Sequence, residues 1–437
     1  MTPDPRTPEF ARLASRSLVV LTLINLVNYL DRYVVSVLGV SLTEPAPSGL
    51  GLSHFQFGLL LPAFMVVMSM TAGVFGALAE RVPRPKLVAA GVAIWSLATA
   101  LGGLAGSFLG LFAARALVGV GEAAYGTIAP ALLADYFPPA KRGRVFAIFF
   151  AAIPLGAALG FIVGGKVDEA FGWRAAFYVA GLPGLLLALL ALRLQDPPRG
   201  GLDEPGGGDA PASALAHAHA APKGSWREVY APLVRMRLYR LVVLGYAFAT
   251  FAAGGLAMWM PTFLEKVRGL SGQTATVWLG LITAGTALSG TIVGGWAADR
   301  IAKRRANGHV WFCGVSTMLA APFCLVALTA TTPAIYWTAI VFGQLFLFAS
   351  TGPVNLAIVN AVRPGQRVAA VALSILAIHM LGDVPSPPLI GLVSDHTSLN
   401  LAILIVPVFV ALAGGTWLFA SSRRVSAPPQ AVAEPVA

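Results

Sequence analysis

Charge is scarce in this chain. Of its 437 residues only 11% are Asp, Glu, Lys or Arg, against about 25% in soluble domains, while 57% are hydrophobic. A water-soluble fold around one core is thereby excluded. Cysteine is almost absent: Cys313 and Cys324 lie in one apolar run, and as helix they stand about 16 Å apart, too far for a disulfide. Histidine is also rare. His217 and His219 are close together but have no cysteine or third histidine nearby, so no metal centre is expected. No phosphate-binding loop and no Ser/His/Asp constellation stands out among the six histidines, which argues against an enzyme. The net charge of +11 comes without a basic cluster interleaved with exposed aromatics, so nucleic acid is not an expected partner. No small-residue cleavage site follows the first apolar run, and no cleaved signal peptide is expected.

What fills the chain is long apolar runs of the length a bilayer requires, about 20 residues each. They recur at 17–38, 54–79, 87–107, 109–134, 144–165 and 174–194, then at 238–263, 275–298, 309–330, 334–358, 368–393 and 399–420. Residues 195–237 separate the two sets. They are rich in Gly and Pro, contain nothing expected to pack a core, and read as a flexible linker. The domains expected are thus 1–194, the linker 195–237, and 238–437 with a short tail. Alternate connections, the linker and the termini hold 24 of the 30 Lys and Arg. The opposite loops hold Lys166, Arg174, Lys266 and Arg268, and Arg32 and Arg115 fall within runs. By the positive-inside rule both termini and the linker are expected in the cytoplasm, with an even number of spans.

The chain also repeats itself. Gly76-Ala-Leu-Ala-Glu80-Arg81-Val-Pro-Arg84-Pro-Lys86 follows the second run, and Gly295-Trp-Ala-Ala-Asp299-Arg300-Ile-Ala-Lys303-Arg304-Arg305 follows the eighth, 219 residues later. Gly143-Arg144-Val145-Phe146-Ala147 and Gln366-Arg367-Val368-Ala369-Ala370 form a fainter pair. Two related halves around a midplane cavity is an architecture of alternating-access transporters.

The paired loops, the layout of six plus six and the central linker resemble the major facilitator superfamily over nearly the whole chain. Glu80 stands where that family usually has Asp, and Pro83 and Pro85 interrupt its usual basic run. Within the superfamily three stretches look like the Spinster lipid-transporter family: Asn28-Tyr29-Leu30-Asp31-Arg32-Tyr33, Arg115 to Pro130 with Gly119, Gly121, Glu122 and Tyr125, and Ile378-His379-Met380-Leu381-Gly382-Asp383-Val384-Pro385. The first stretch is shared with organic-anion symporters. The resemblance implies transport of lysophospholipid or sphingoid-phosphate-like molecules, proton coupling, and a cytoplasmic gate at Glu80, Arg81, Asp299 and Arg300.

Asp31, Arg32, Arg115 and Glu122 lie deep in apolar runs. A charge at mid-bilayer costs at least about 2.5–3.5 kcal/mol, so these groups must pair or line a cavity. Arg115 and Glu122, seven apart, share a helix face, as do Asn25, Asn28 and Arg32; Asp31 lies about 100° round. The resemblance brings the first and fourth helices to one cavity. One reading is a salt-bridge lock within the first half. The other gives proton handling to Asp31 and Glu122 and the substrate headgroup to Arg32 and Arg115, with Asn28, Tyr29 and Tyr125. His379 and Asp383, one turn apart, either assist from the second half or cap their helix. Phe64, Met65, Met68, Met70, Phe149, Phe150, Trp259 and Phe263 could line an acyl-chain pocket but read first as packing. Gly156, Gly160 and Gly164 read as a close helix contact.

The reading is therefore an all-α membrane protein with twelve transmembrane helices in two pseudo-symmetric six-helix bundles, in a cell membrane of bacterial inner-membrane type. It is expected to act as a monomer without cofactor, driven by the proton gradient, on a lysolipid-like substrate. The alternatives are a proton symporter of small organic anions, a membrane-embedded lipid enzyme, and an uncoupled facilitator.

Overall fold

A computed structural model of the chain describes residues 7–200, 202, 226–363 and 366–422. His217 and His219 lie outside the described residues. Among the described residues twelve helices are long and apolar enough to cross a membrane, and they match the twelve runs in order. The first six spans are Pro8–Val37, His54–Leu78, Arg84–Gly102, Phe108–Tyr136, Lys141–Phe171 and Trp173–Ala191. The other six are Arg237–Lys266, Gly272–Ala302, Gly308–Thr329, Pro333–Asn360, Ala369–His396 and Leu399–Ser422. No strand occurs among the described residues.

Local sequence explains where the spans begin. Ser53 and Gln56 form a reciprocal capping box at the second, and the Ser107 and Ser271 hydroxyls accept from Gly110 and Thr274 amides at the fourth and eighth. The first span starts at Pro8 because Thr7 caps Phe10 and Pro8 sits in the first turn, where its missing N–H costs nothing. Outward faces stay apolar, with Met70 75% and Leu186 67% exposed, as lipid-facing positions demand. Gly156 and Gly160 bring the fifth span onto the backbone of the first: a Cβ on Gly160 would stand 2.6 Å from the Leu30 carbonyl. Cys313 and Cys324 are both buried and free.

Two differences from the sequence reading concern residues 195–237. Trp226–Arg235 is a helix, and its Leu233 is fully buried against Tyr239 and Val242, so this stretch does contribute to a core. Its charged and apolar residues alternate with helical period, a pattern hidden by the surrounding Gly and Pro. At the other end Arg84 gathers Asp196 and Pro197. Its amide and Nε donate to the Asp196 carboxylate (2.9 and 2.7 Å), Nη2 donates to the Pro197 carbonyl (2.8 Å), and Nη1 pairs with Asp135.

The halves touch at the end opposite the basic loops. There the fifth span meets the eighth at Gly280 and Ala158, the connection after the first meets the seventh at Gly39 and Thr262, and the second meets the eleventh at Gly58 and Pro387. In the second span every fully buried residue lies between Phe57 and Met65, and none between Val66 and Leu78. The helix loses its partners as it approaches the basic end, so the space between the halves opens there.

Candidate functional site

The first half carries two buried ion pairs. Arg115 Nη1 donates to Asp31 Oδ1 at 3.2 Å, and Thr99 Oγ1 donates to Asp31 Oδ2 at 2.6 Å. Arg32 Nη2 donates to Glu122 Oε2 at 2.5 Å. Asp31 and Arg115 side chains are 1% exposed and Glu122 is 2%, whereas Arg32 is 16% exposed. One pair is therefore internal to the bundle, and the other includes the more accessible guanidinium.

Helix faces alone leave this pairing open. Arg115 and Glu122 do share a face, but seven residues of helix separate them by about 10 Å along the axis. Asp31 and Arg32, adjacent on the first span and fanned about 100° apart, serve one each. Both guanidiniums lie over the ring of Phe64, at 4.8 Å for Arg32 and 5.3 Å for Arg115, and Arg32 also lies over Tyr29 at 4.7 Å. The Phe64 backbone rests on Gly119, where a Cβ would stand 2.3 Å from the Phe64 carbonyl oxygen. Asn25 donates to the Phe149 carbonyl (3.0 Å), while Asn28 Nδ2, Arg115 Nε and Nη2, and Glu122 Oε1 have no partner among the described residues. Tyr125 is fully committed to the bundle: its hydroxyl donates to Leu21 O at 2.7 Å and its ring packs on Trp95. The bundle, not the cavity, claims that residue.

In the eleventh span His379–Asp383 forms a π-helical turn, in which the Val384 amide donates to the His379 carbonyl at 3.1 Å. Such turns recur at functional sites. Thr250 of the seventh span donates to the Ile378 carbonyl at 3.1 Å. The turn places His379 Nδ1 3.0 Å from both oxygens of Asp383. Asp383 packs on Gly254 of the seventh span. The two residues thus bond to each other.

A cavity of about 250 Å³ lies in the second half, walled by the seventh, eighth, ninth and tenth spans and closed by Tyr33 and Phe161 of the first half. Its lining is mainly apolar, with Tyr246, Thr250, Thr283, Gln344, Ser350 and Thr351 as polar points. None of the aromatics and methionines singled out in the sequence contributes to it. Phe64, Phe149, Trp259 and Phe263 are buried packing residues, and Met70 faces outward.

Among the described residues the repeated loops pair within their own halves. Glu80 pairs with Arg199 at 2.5 Å and Asp299 with His309 at 3.0 Å; Arg300 lies over Trp296, and Arg81 is exposed with no carboxylate partner among the described residues. What does bridge the halves is a latch absent from the sequence reading. The Asp395 carboxylate accepts from the His54 and Phe55 amides at 2.8 and 2.9 Å, capping the second span from the end of the eleventh. His54 Nδ1 lies 2.8 Å from Ser394 Oγ, its ring packs on Trp259, and Trp259 Nε1 donates to the Pro387 carbonyl at 3.0 Å. At the same end Arg268 donates to the Leu328 carbonyl (2.6 Å), and desolvation holds its guanidinium below its ordinary value.

Comparison with known proteins places this architecture. Residues 21–384 match the profile of the Major Facilitator Superfamily. The chain is 32% identical to Protein spinster homolog 3 of Danio rerio, across 97% of this chain and 88% of that protein. It is 35% identical to Protein spinster homolog 1 of Mus musculus, across 86% and 72%. A relative in Arabidopsis thaliana, 28% identical across 94% and 89%, bears the name "Probable sphingolipid transporter spinster homolog 1". Among solved structures the fold matches a bacterial homolog to the human lysosomal transporter Spinster, inward-facing and unoccupied. The TM-score is 0.79 at 22% identity, over 94% of this chain and 97% of that one. An all-helical twelve-span architecture, a profile match over most of the chain and relatives above 30% identity agree: the protein is an integral membrane transporter of the major facilitator superfamily, and within it belongs to the Spinster family.

Proposed function

We propose that the protein moves a single-chain amphiphile with a charged headgroup, of lysophospholipid or sphingoid-phosphate type, by proton-coupled alternating access. The observation that supports this most is the juxtaposition of charge and apolar space. Tyr33, which closes the apolar cavity, is the next residue to Arg32, the accessible member of the buried charge cluster. A headgroup at Arg32 has an acyl-sized apolar space one residue away. A guanidinium suits phosphate or carboxylate through paired N–H groups. The printed name of the Arabidopsis relative supports a lipid substrate.

In this reading Asp31 and Glu122 handle protons. An anionic headgroup that draws Arg32 leaves Glu122 with a buried, unneutralised charge, which a proton removes. Substrate binding and proton uptake are then one exchange at one residue. Arg115 holds Asp31 behind it, and Asn28 and Tyr29 flank the exchange. His379 and Asp383 meet the substrate from the other half. The halves are 1–194 and 238–437, joined by 195–237, with the basic end and both termini in the cytoplasm of a bacterial-type inner membrane. The transporter acts as a monomer and uses the proton gradient without a cofactor.

The test is purified protein in liposomes with labelled lysolipid, a short carboxylate as competitor, and an imposed pH gradient. Gradient-driven accumulation of lysolipid is the expected result. Accumulation of the carboxylate alone would move the protein to the organic-anion class, and uptake indifferent to the gradient would remove proton coupling.

A further inference from the structure

Phe64 is fully buried, and among the described residues its ring is the one that both arginines of the charge cluster meet. A ring face attracts a guanidinium most strongly where water is excluded. Gly119, against which the Phe64 backbone rests, lies on the fourth span between Arg115 and Glu122. The aromatic is thus placed between the two members of that span by a backbone contact that admits no side chain.

The same helix reaches the other half. Its N-terminal amides at His54 and Phe55 are held by Asp395, its Gly58 abuts Pro387, and its buried stretch runs from Phe57 to Met65. Phe64 therefore stands at the inner limit of the part of this span that the latch and the packing hold. Beyond it the helix faces lipid and the opening between the halves.

We infer that Phe64 is a positioning residue: its ring holds both guanidiniums in the crossed pairing, and through the second span it makes that pairing depend on closure of the mouth at the latch. Other groups around the pair offer no substitute. The second span has no charged residue after His54, the third none between Lys86 and its end, and the fifth none between Arg144 and Lys166. From the opposite half Tyr246 shares the cavity lining with Tyr33 of the first span, and His379 and Asp383 bond to each other. Opening the mouth releases the pinned stretch, loosens the ring and frees the arginines to exchange carboxylates. Closing it restores the pairs.

This rests on the proposed role of the cluster, and the test separates the two. Phe64 is replaced in the full-length protein by mono-, di- and trifluorophenylalanine, which keep the shape of the ring while draining its negative face. Spin labels at Gly106 and Thr331, both exposed at the latch end, report the mouth distance in nanodiscs. The closed-mouth population should fall stepwise with each fluorine, by about threefold to tenfold over the series. Combining the trifluoro ring with Asp395→Asn should be non-additive by more than about twofold, because one element carries both effects. A flat series, or a cycle additive within about twofold, overturns the inference. Liposome uptake is measured in parallel. If wild-type protein shows no proton-driven uptake the proposed function fails, while the fluorine series still decides the role of Phe64.

Discussion

Removing the carboxylate of Asp395 should unlock the closed mouth. Two amides of the second span, His54 N and Phe55 N, donate to this one side chain from the opposite half at 2.8 and 2.9 Å. A hydrogen bond to a charged group contributes about 1.5–3 kcal/mol net, and a carboxylate at a helix N-terminus gains a further 0.3–1 kcal/mol or so from the macrodipole. The site is partly wet, with the Asp395 side chain 26% exposed, so water recovers much of what Asp395→Ala removes. A net loss of about 1–2 kcal/mol is reasonable, shifting the ratio of closed to open mouth by about 5- to 30-fold. Asp395→Asn keeps one acceptor oxygen and should fall between wild type and alanine. The effect belongs to one state only, because the bonds cross the interface and exist only when the mouth is shut. Distance distributions between labels at Gly106 and Thr331 read the ratio directly. A closed population unchanged within about twofold in the alanine variant would show that packing alone holds the mouth.

Three further outcomes are expected. Asp31→Asn should abolish gradient-driven accumulation, and it should also lower thermal stability, since it strands the buried Arg115 cation at a cost of about 3–5 kcal/mol; unchanged melting in detergent would contradict the burial argument. Arg81→Ala or Asp299→Ala should leave the geometry open at the basic end as it is and raise its population, because among the described residues these loops make no ion pair across the halves; label distances across that mouth, at Gly143 and Arg363, check this. Gly343→Phe should fill the cavity next to Cys324, where the nearest atoms stand at 3.5 Å, and competition binding should show affinity for long-chain lysolipids falling while a short-chain analogue is retained.

The architecture was legible because bilayer physics writes itself along the chain. Each span must be apolar for its own length, and basic residues avoid alternate loops, so span number and order needed no tertiary information. The membership of the charge cluster was legible for the same reason: Asp31, Arg32, Arg115 and Glu122 stand out against apolar neighbours. Their pairing was not. A face argument fixes direction around one helix but not the height at which a neighbouring helix crosses, and the first span meets the fourth so that adjacent residues serve carboxylate and guanidinium separately. The latch was hidden more deeply, since Asp395 caps amides 341 and 340 residues away, and a lone Asp near a helix end resembles many others. The cavity left no trace because its lining residues are scattered singly over several apolar runs, and none of them stands out there as a charge does. The helix at Trp226–Arg235 was masked by the Gly- and Pro-rich stretch before it.

The Arg84 contacts bear on where this protein can be cut. Asp196 and Pro197 lie past the sixth span, yet they are held by a side chain and an amide at the start of the third, and the Gly200 amide reaches Asp135 at 3.0 Å. Measured by chemistry, the first bundle therefore ends at Gly200 and not where its last apolar run stops. Nicking the backbone after that glycine leaves a fragment that keeps every donor and acceptor of the knot. Cutting six residues earlier deprives a 4%-exposed arginine of one of its two carboxylates, and the fragment loses the fastening that ties its sixth span to the third and fourth at the basic end.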